Sequence, residues 1–83
     1  MRAEFAEMVE FFGHRCVRCG EEHAHFDRDH IVPHYQGGAS DMRNMQPLCA
    51  RCNAQKGPEN IDHRIAFCAE HGLTIPSKWV ERP

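Results

Sequence analysis

Residues 16–57 read CVRCGEEHAHFDRDHIVPHYQGGASDMRNMQPLCARCNAQKG, and the two ends of that stretch decide the fold. Cys16 and Cys19 flank two residues, and so do Cys49 and Cys52. A two-residue gap turns both sulfurs of a pair toward one point. Two such pairs complete the closed four-thiolate set of structural Zn²⁺. The spacer, residues 20–48, is longer than in ordinary zinc ribbons. The intervening segment must therefore fold as a unit between the two knuckles. A redox CxxC would accompany a βαβ pattern, and none is present. Cys68 has no nearby partner and reads as a small core residue.

Outward from the knuckles, the periodicity predicts a helix over residues 2–12. Phe5, Met8, Val9 and Phe12 fall on one face, and Gly13 supplies a C-cap. Residues 25–32 read as a strand ended by Pro33, and residues 35–44 as a loop rich in turn formers. MQPL is a short extended piece. CARCNAQKG opens a helix closed by Gly57-Pro58. A last helix runs from about residue 60 to 71, with Ile61, Ile65 and Cys68 or Ala69 on its inner face and Gly72 at its end. Trp79 lies in the tail, either docked or loose.

The chain has 83 residues, 41% apolar and 27% charged, which suits one small folded domain spanning 1–83. A core this small calls for a staple, and the cysteines supply one. The net charge of −2 denies the chain a globally basic surface. Attraction to phosphate must come from local clusters and bound metal. An odd count of five cysteines opposes a secreted disulfide framework, and no leader or membrane-spanning run is visible. The expected location is a reducing cytoplasm.

Between the knuckles the chain carries Asp29-His30-Ile31-Val32-Pro33, then Gly37-Gly38, then Asn44; Asn53 follows Cys52 directly, with Lys56 three residues on. The ordered set CxxC, DHIVP, GG, N, QPLCxxCNxxKG resembles the HNH endonucleases. The resemblance spans about half the chain, with a core motif at 16–57. It implies an α+β fold of the ββα-metal type, a structural four-cysteine zinc site of Cys16, Cys19, Cys49 and Cys52, and flanking N- and C-terminal helices. The family commonly places His after the last cysteine; this chain has Asn53 and is similar to the HNN subset. The resemblance also implies that Asn44 hydrogen-bonds across the ribbon and holds the loop that orients His30.

The chemistry of these residue types agrees. Hydrolysing a phosphodiester needs an activated water and relief of charge at the phosphate and the departing oxygen. His30 can accept the water's proton at neutral pH. Asp29 and His30 point to opposite sides of a strand, which suits one metal ligand and one base. Asp29 is a hard oxygen ligand for a catalytic divalent cation (Mg²⁺, Mn²⁺ or Ni²⁺), and Asn53 offers a second through its amide oxygen. His34 lies near enough to bind phosphate or metal. Arg28, Arg43, Arg51, Lys56 and Arg64 are expected phosphate contacts, with Lys56 foremost because it lies one helical turn beyond Asn53. The remaining histidines, His14, His23, His25, His63 and His71, read as solvent-facing or structural. His23 or His25 could replace a zinc ligand, which four cysteines make unnecessary.

The expected function is a metal-dependent DNA endonuclease acting as a monomer or weak dimer, with little sequence preference because no separate reading module fits. The rival is a non-catalytic zinc module that binds nucleic acid or protein. The chain also resembles the small stand-alone HNH proteins of phages and prophages, some of which act beside genome-packaging proteins. That resemblance implies a bacterial host cell as the setting.

Overall fold

The structure is a computed structural model that describes residues 2–57 and 59–80. Its elements are α1 (Arg2–Phe11), β1 (Asp27–His30), β2 (Met45–Leu48), α2 (Ala50–Lys56) and α3 (His63–His71), with short 3-10 helices at His34–Gln36, Met42–Asn44 and Ser77–Trp79. This is an α+β fold. Its two strands pair antiparallel, with Asp27 opposite Leu48, Arg28 opposite Pro47, Asp29 opposite Gln46 and His30 opposite Met45.

α1 ends because Gly13 and then His14 turn left-handed, at φ 69° and φ 57°. The amide of His14 still reaches the Val9 carbonyl at 3.0 Å, closing the last turn. Met8 and Phe12 are fully buried, as the periodicity predicts. Around them stand Leu48, Met45, Met42, Val17, Phe67 and Trp79. Trp79 is docked and 2% exposed. Its indole meets Phe11 edge-on at 5.4 Å and lies 6.5 Å from Phe12, so the tail closes the core over α1.

The strand read over 25–32 is shorter in the structure, four residues from Asp27 to His30. Its partner carries Pro47, and all four residues of β2 are buried. The loop over 35–44 contains two 3-10 turns rather than irregular chain. Pro58 and the tail beyond residue 80 lie outside the described residues.

The inner face of the last helix differs from its reading. α3 starts at His63, later than the periodicity suggested, and buries Arg64, Phe67 and Cys68. Ile61 is 45% exposed and Ile65 53% exposed. The rotation is set by polar anchors. Asp62 caps the helix through the Arg64 amide at 3.0 Å, and the His63 amide donates to Gln46 Oε1 at 2.8 Å. Arg64, expected among the phosphate contacts, is instead an internal tie. Its Nε and Nη2 fork onto Asp62, and its remaining donors go to the carbonyls of Met42, Trp79 and Arg43. A guanidinium with every donor spent inside the protein has none left for phosphate.

Candidate active site and metal centre

The two knuckles meet behind the ribbon. The sulfurs of Cys16, Cys19, Cys49 and Cys52 all lie within 4.8 Å of one another. A tetrahedral zinc with bonds of about 2.3 Å needs sulfurs about 3.8 Å apart, so four thiols this close fit the ion with small adjustment. All five cysteines are free. Backbone geometry prepares the site: Gly20 turns at φ 78°, its amide bonds the Cys16 carbonyl at 2.7 Å, and the Cys16 amide returns to Glu21. Cys49 caps α2, its sulfur accepting the Cys52 amide.

Burial pushes the Cys19 thiol up, to about 12. Burial also pushes Cys52 up, partly opposed by a hydrogen bond from Arg18. Cys16 goes the other way: burial raises it, but hydrogen bonds from the backbone at Cys19, Cys49 and Arg18 together outweigh that and lower it. Arg18 and Arg51 flank the cluster with positive charge. They offset the excess negative charge that four thiolates bring to one divalent ion.

α2 leaves the second knuckle and crosses one face of β1. That crossing builds an open groove of about 430 Å³ lined by Arg28, Asp29, His30, Pro33, His34, Tyr35, Asn53, Lys56 and Gly57. Four of the residues singled out for chemistry, Asp29, His30, His34 and Asn53, therefore line one groove. Asn53 Nδ2 donates to Asp27 at 3.0 Å, so the amide oxygen is the atom this side chain could offer a cation. Asp29 is buried and accepts Gln46 Nε2 at 2.9 Å and Lys56 Nζ at 3.2 Å, both on Oδ2. Oδ1 remains for another partner. The His30 and His34 rings sit 6.0 Å apart, and His34 Nδ1 lies 3.3 Å from Ser40 Oγ.

Asn44 stands at the end of the ribbon, buried. Its Oδ1 accepts the Val32 amide at 2.9 Å, and its Nδ2 donates to the carbonyls of Val32 and Ala39 at 2.9 and 2.8 Å. Three bonds from one side chain clamp the strand end after His30 to the Gly37-Gly38 loop. Gly38 is required by close approach. A Cβ there would overlap the Val32 carbonyl and meet Asn44 Nδ2 at 2.8 Å.

The basic residues do not gather as the sequence suggests. Lys56, read as the foremost contact to phosphate, is buried beside Asp29, because α2 turns that position inward over a carboxylate that needs a cation. Arg43 forks onto Asp41 and lines a separate cavity with Gly37, Gly38, Ala39 and Val80. Arg51 pairs with Glu21 beside the cysteines. Arg28 lines the groove, its guanidinium 5.9 Å from the centre of the Phe5 ring.

Two residues join this neighbourhood that the sequence reading does not place there: Gln46, and His63, which reads as solvent-facing or structural from sequence alone. Gln46 is fully buried and joins Asp29, the Ile61 carbonyl and the His63 amide. It ties the carboxylate to the start of α3. His63 is half-buried close by; burial holds its imidazole below the usual range, and the charges of Arg18 and Lys56 add to that, opposed by Asp29 and Asp62. Strand pairing opposite Asp29 is the one signal that pointed to Gln46. Nothing in the local sequence pointed to His63.

Comparison with known proteins agrees with this architecture. The HNH endonuclease family model matches residues 16–59, just over half of the chain and the whole span from the first knuckle through α2. Anaredoxin from Nostoc sp. (strain PCC 7120 / SAG 25.82 / UTEX 2576) is 35% identical over 55 residues, covering 63% of this chain and 72% of its own length. No solved structure matches the chain. With its knuckled ribbon, its clamping asparagine and this match, the chain belongs to the HNH endonuclease family.

Proposed function

We propose that the protein is a metal-dependent endonuclease that hydrolyses phosphodiester bonds in DNA. The observation that carries this reading is the groove itself, which gathers Asp29, His30 and Asn53 from β1 and α2 while Asn44 braces the turn beyond. His30 takes the proton of the attacking water, a contribution of about 10²–10⁴ in rate for a positioned base. Asp29 and the Asn53 amide would hold one divalent cation. Their hard oxygen donors suit Mg²⁺ or Mn²⁺. That cation supplies charge relief at the phosphate and the departing oxygen. Lys56 and Gln46 fix the carboxylate from behind, and Arg28 meets the DNA backbone at the groove's rim. Zn²⁺ on the four cysteines holds α2, and so Asn53, against the ribbon.

Supercoiled plasmid incubated with Mg²⁺, Mn²⁺ or Ni²⁺ tests the proposal. The protein should cleave only with added cation, and His30→Ala should lose at least about 100-fold in rate with DNA binding retained. Full activity of His30→Ala, or cleavage without a divalent ion, would overturn it. A second reading, a non-catalytic zinc module, draws on one feature: the Lys56 amine already pairs with the buried Asp29 carboxylate at 3.2 Å. No cleavage with any of the three cations, in a zinc-loaded and folded sample, decides for that module.

A further inference from the structure

Among the described residues one buried side-chain polar atom lacks a hydrogen-bond partner, Nε2 of His23. A buried nitrogen without a partner is destabilising until a ligand or donor satisfies it. His23 sits just after the first knuckle. One of its ring nitrogens, a Glu21 carboxylate oxygen and the Cys19 sulfur all lie within 4.8 Å of one another. The same Cys19 sulfur belongs to the four-cysteine cluster.

We infer that Cys19, Glu21 and His23 form a second position for a thiophilic divalent cation such as Zn²⁺, adjoining the four-cysteine site and sharing its Cys19 sulfur. Thiolate sulfur, imidazole nitrogen and carboxylate oxygen are together the donors that zinc takes, and three protein ligands leave one position for water. His23 does not join the four-cysteine set directly, because its nitrogen is not grouped with the other three sulfurs. The geometry therefore describes an adjacent position and not a spare ligand for the first.

The segment is organised in advance. Arg15 and Glu22 form a β-bridge, and the His23 amide donates to the His14 carbonyl at 3.1 Å. Arg15 Nη1 holds the Gly20 carbonyl at 2.9 Å, and the His23 ring meets Phe26 edge-on at 6.0 Å. Residues 20–23 are thus folded back over the knuckle. Cys19 is the least buried of the four cysteines, the other three being fully enclosed. Access from solvent consequently runs through Cys19. Glu21 is held by Arg51 at 3.3 Å, with both side chains about two-thirds exposed. Such surface pairs are weak, so a divalent ion displaces this one readily.

The test rests on the four-cysteine site and separates the two. Zinc-free protein comprising residues 1–83 is titrated with ¹¹³Cd²⁺ and followed by NMR. The first equivalent should give a tetrathiolate resonance, and the second a distinct upfield resonance from mixed sulfur, nitrogen and oxygen donors. His23→Ala and, separately, the milder Glu21→Gln should weaken the second equivalent at least tenfold and leave the first unchanged. A single resonance saturating at one equivalent overturns the second position. So does a second equivalent that binds equally well to the His23→Ala protein. Absence of any tetrathiolate signal would refute the four-cysteine site and with it the adjoining position.

Discussion

Lys56 shows how a residue's meaning depends on what it faces. In sequence it is a basic side chain one turn beyond Asn53; in the structure its amine and the Asp29 carboxylate are both nearly sealed from water, 3.2 Å apart. A buried pair adds little net stability, but removing one partner strands the other charge at a cost of about 3–5 kcal/mol. Lys56→Met should lower stability by that amount in urea unfolding, and adding Asp29→Asn should recover most of the loss. A change below about 1 kcal/mol for Lys56→Met would mean that water or a bound ion already neutralises Asp29. Asn44 and Gly38 show the same dependence in a steric form. The amide needs three bonds at once, and the glycine must be bare for the Val32 carbonyl to come near.

At the scale of the element, α3 is placed by polar contacts at its start as much as by its apolar face. Gln46 holds the Ile61 carbonyl and the His63 amide, and Arg64 draws the helix against Met42, Arg43 and Trp79. His63 makes this junction sensitive to pH. Its folded-state proton affinity is held down, chiefly by burial. As pH falls through the ordinary histidine range near 6.5, the unfolded chain binds the proton first, so stability declines toward acid. It is complete above that range and is lost between the ordinary value and the depressed one. The melting temperature of zinc-loaded protein should drop between pH 7.5 and 5.5, and His63→Asn should drop less. Equal losses in the two proteins would remove His63 from the account.

At the scale of the whole molecule, the core is one layer of α1, Met42, Met45, Leu48, Phe67 and Trp79, closed on one side by the cysteine cluster. A chain of this length holds only marginal stability by packing alone. Zinc on four thiolates contributes apparent free energies of about 10–16 kcal/mol at neutral pH, comparable to or larger than the whole stability of a small domain. Chelation, or Cys49→Ser, should therefore abolish cooperative thermal unfolding. Native circular dichroism in a sample verified as metal-free would contradict this. Because the thiols must shed protons to bind, and burial holds Cys19 and Cys52 high, zinc affinity should also climb with pH.

Local chemistry made several features readable from the chain alone. The paired CxxC spacing, the DHIVP run before a glycine pair and the asparagine after Cys52 each depend on neighbours within a few residues or on a fixed order of such groups. They identify the two knuckles and the asparagine and histidine that meet in the groove. The end of α1, the extended MQPL and the helix after Cys49 were legible for the same reason, since turn, strand and cap preferences are local. Tertiary packing alone decided which basic side chains face solvent. Lys56 and Arg64 look alike with Arg28 in sequence, yet each must neutralise or satisfy buried oxygens contributed from elsewhere in the chain. It also decided the face of α3, where partners from β2 and the tail outweigh the periodicity of Ile61 and Ile65. Hydrogen bonds and ion pairs between distant segments have no sequence period, so only the folded chain reveals them.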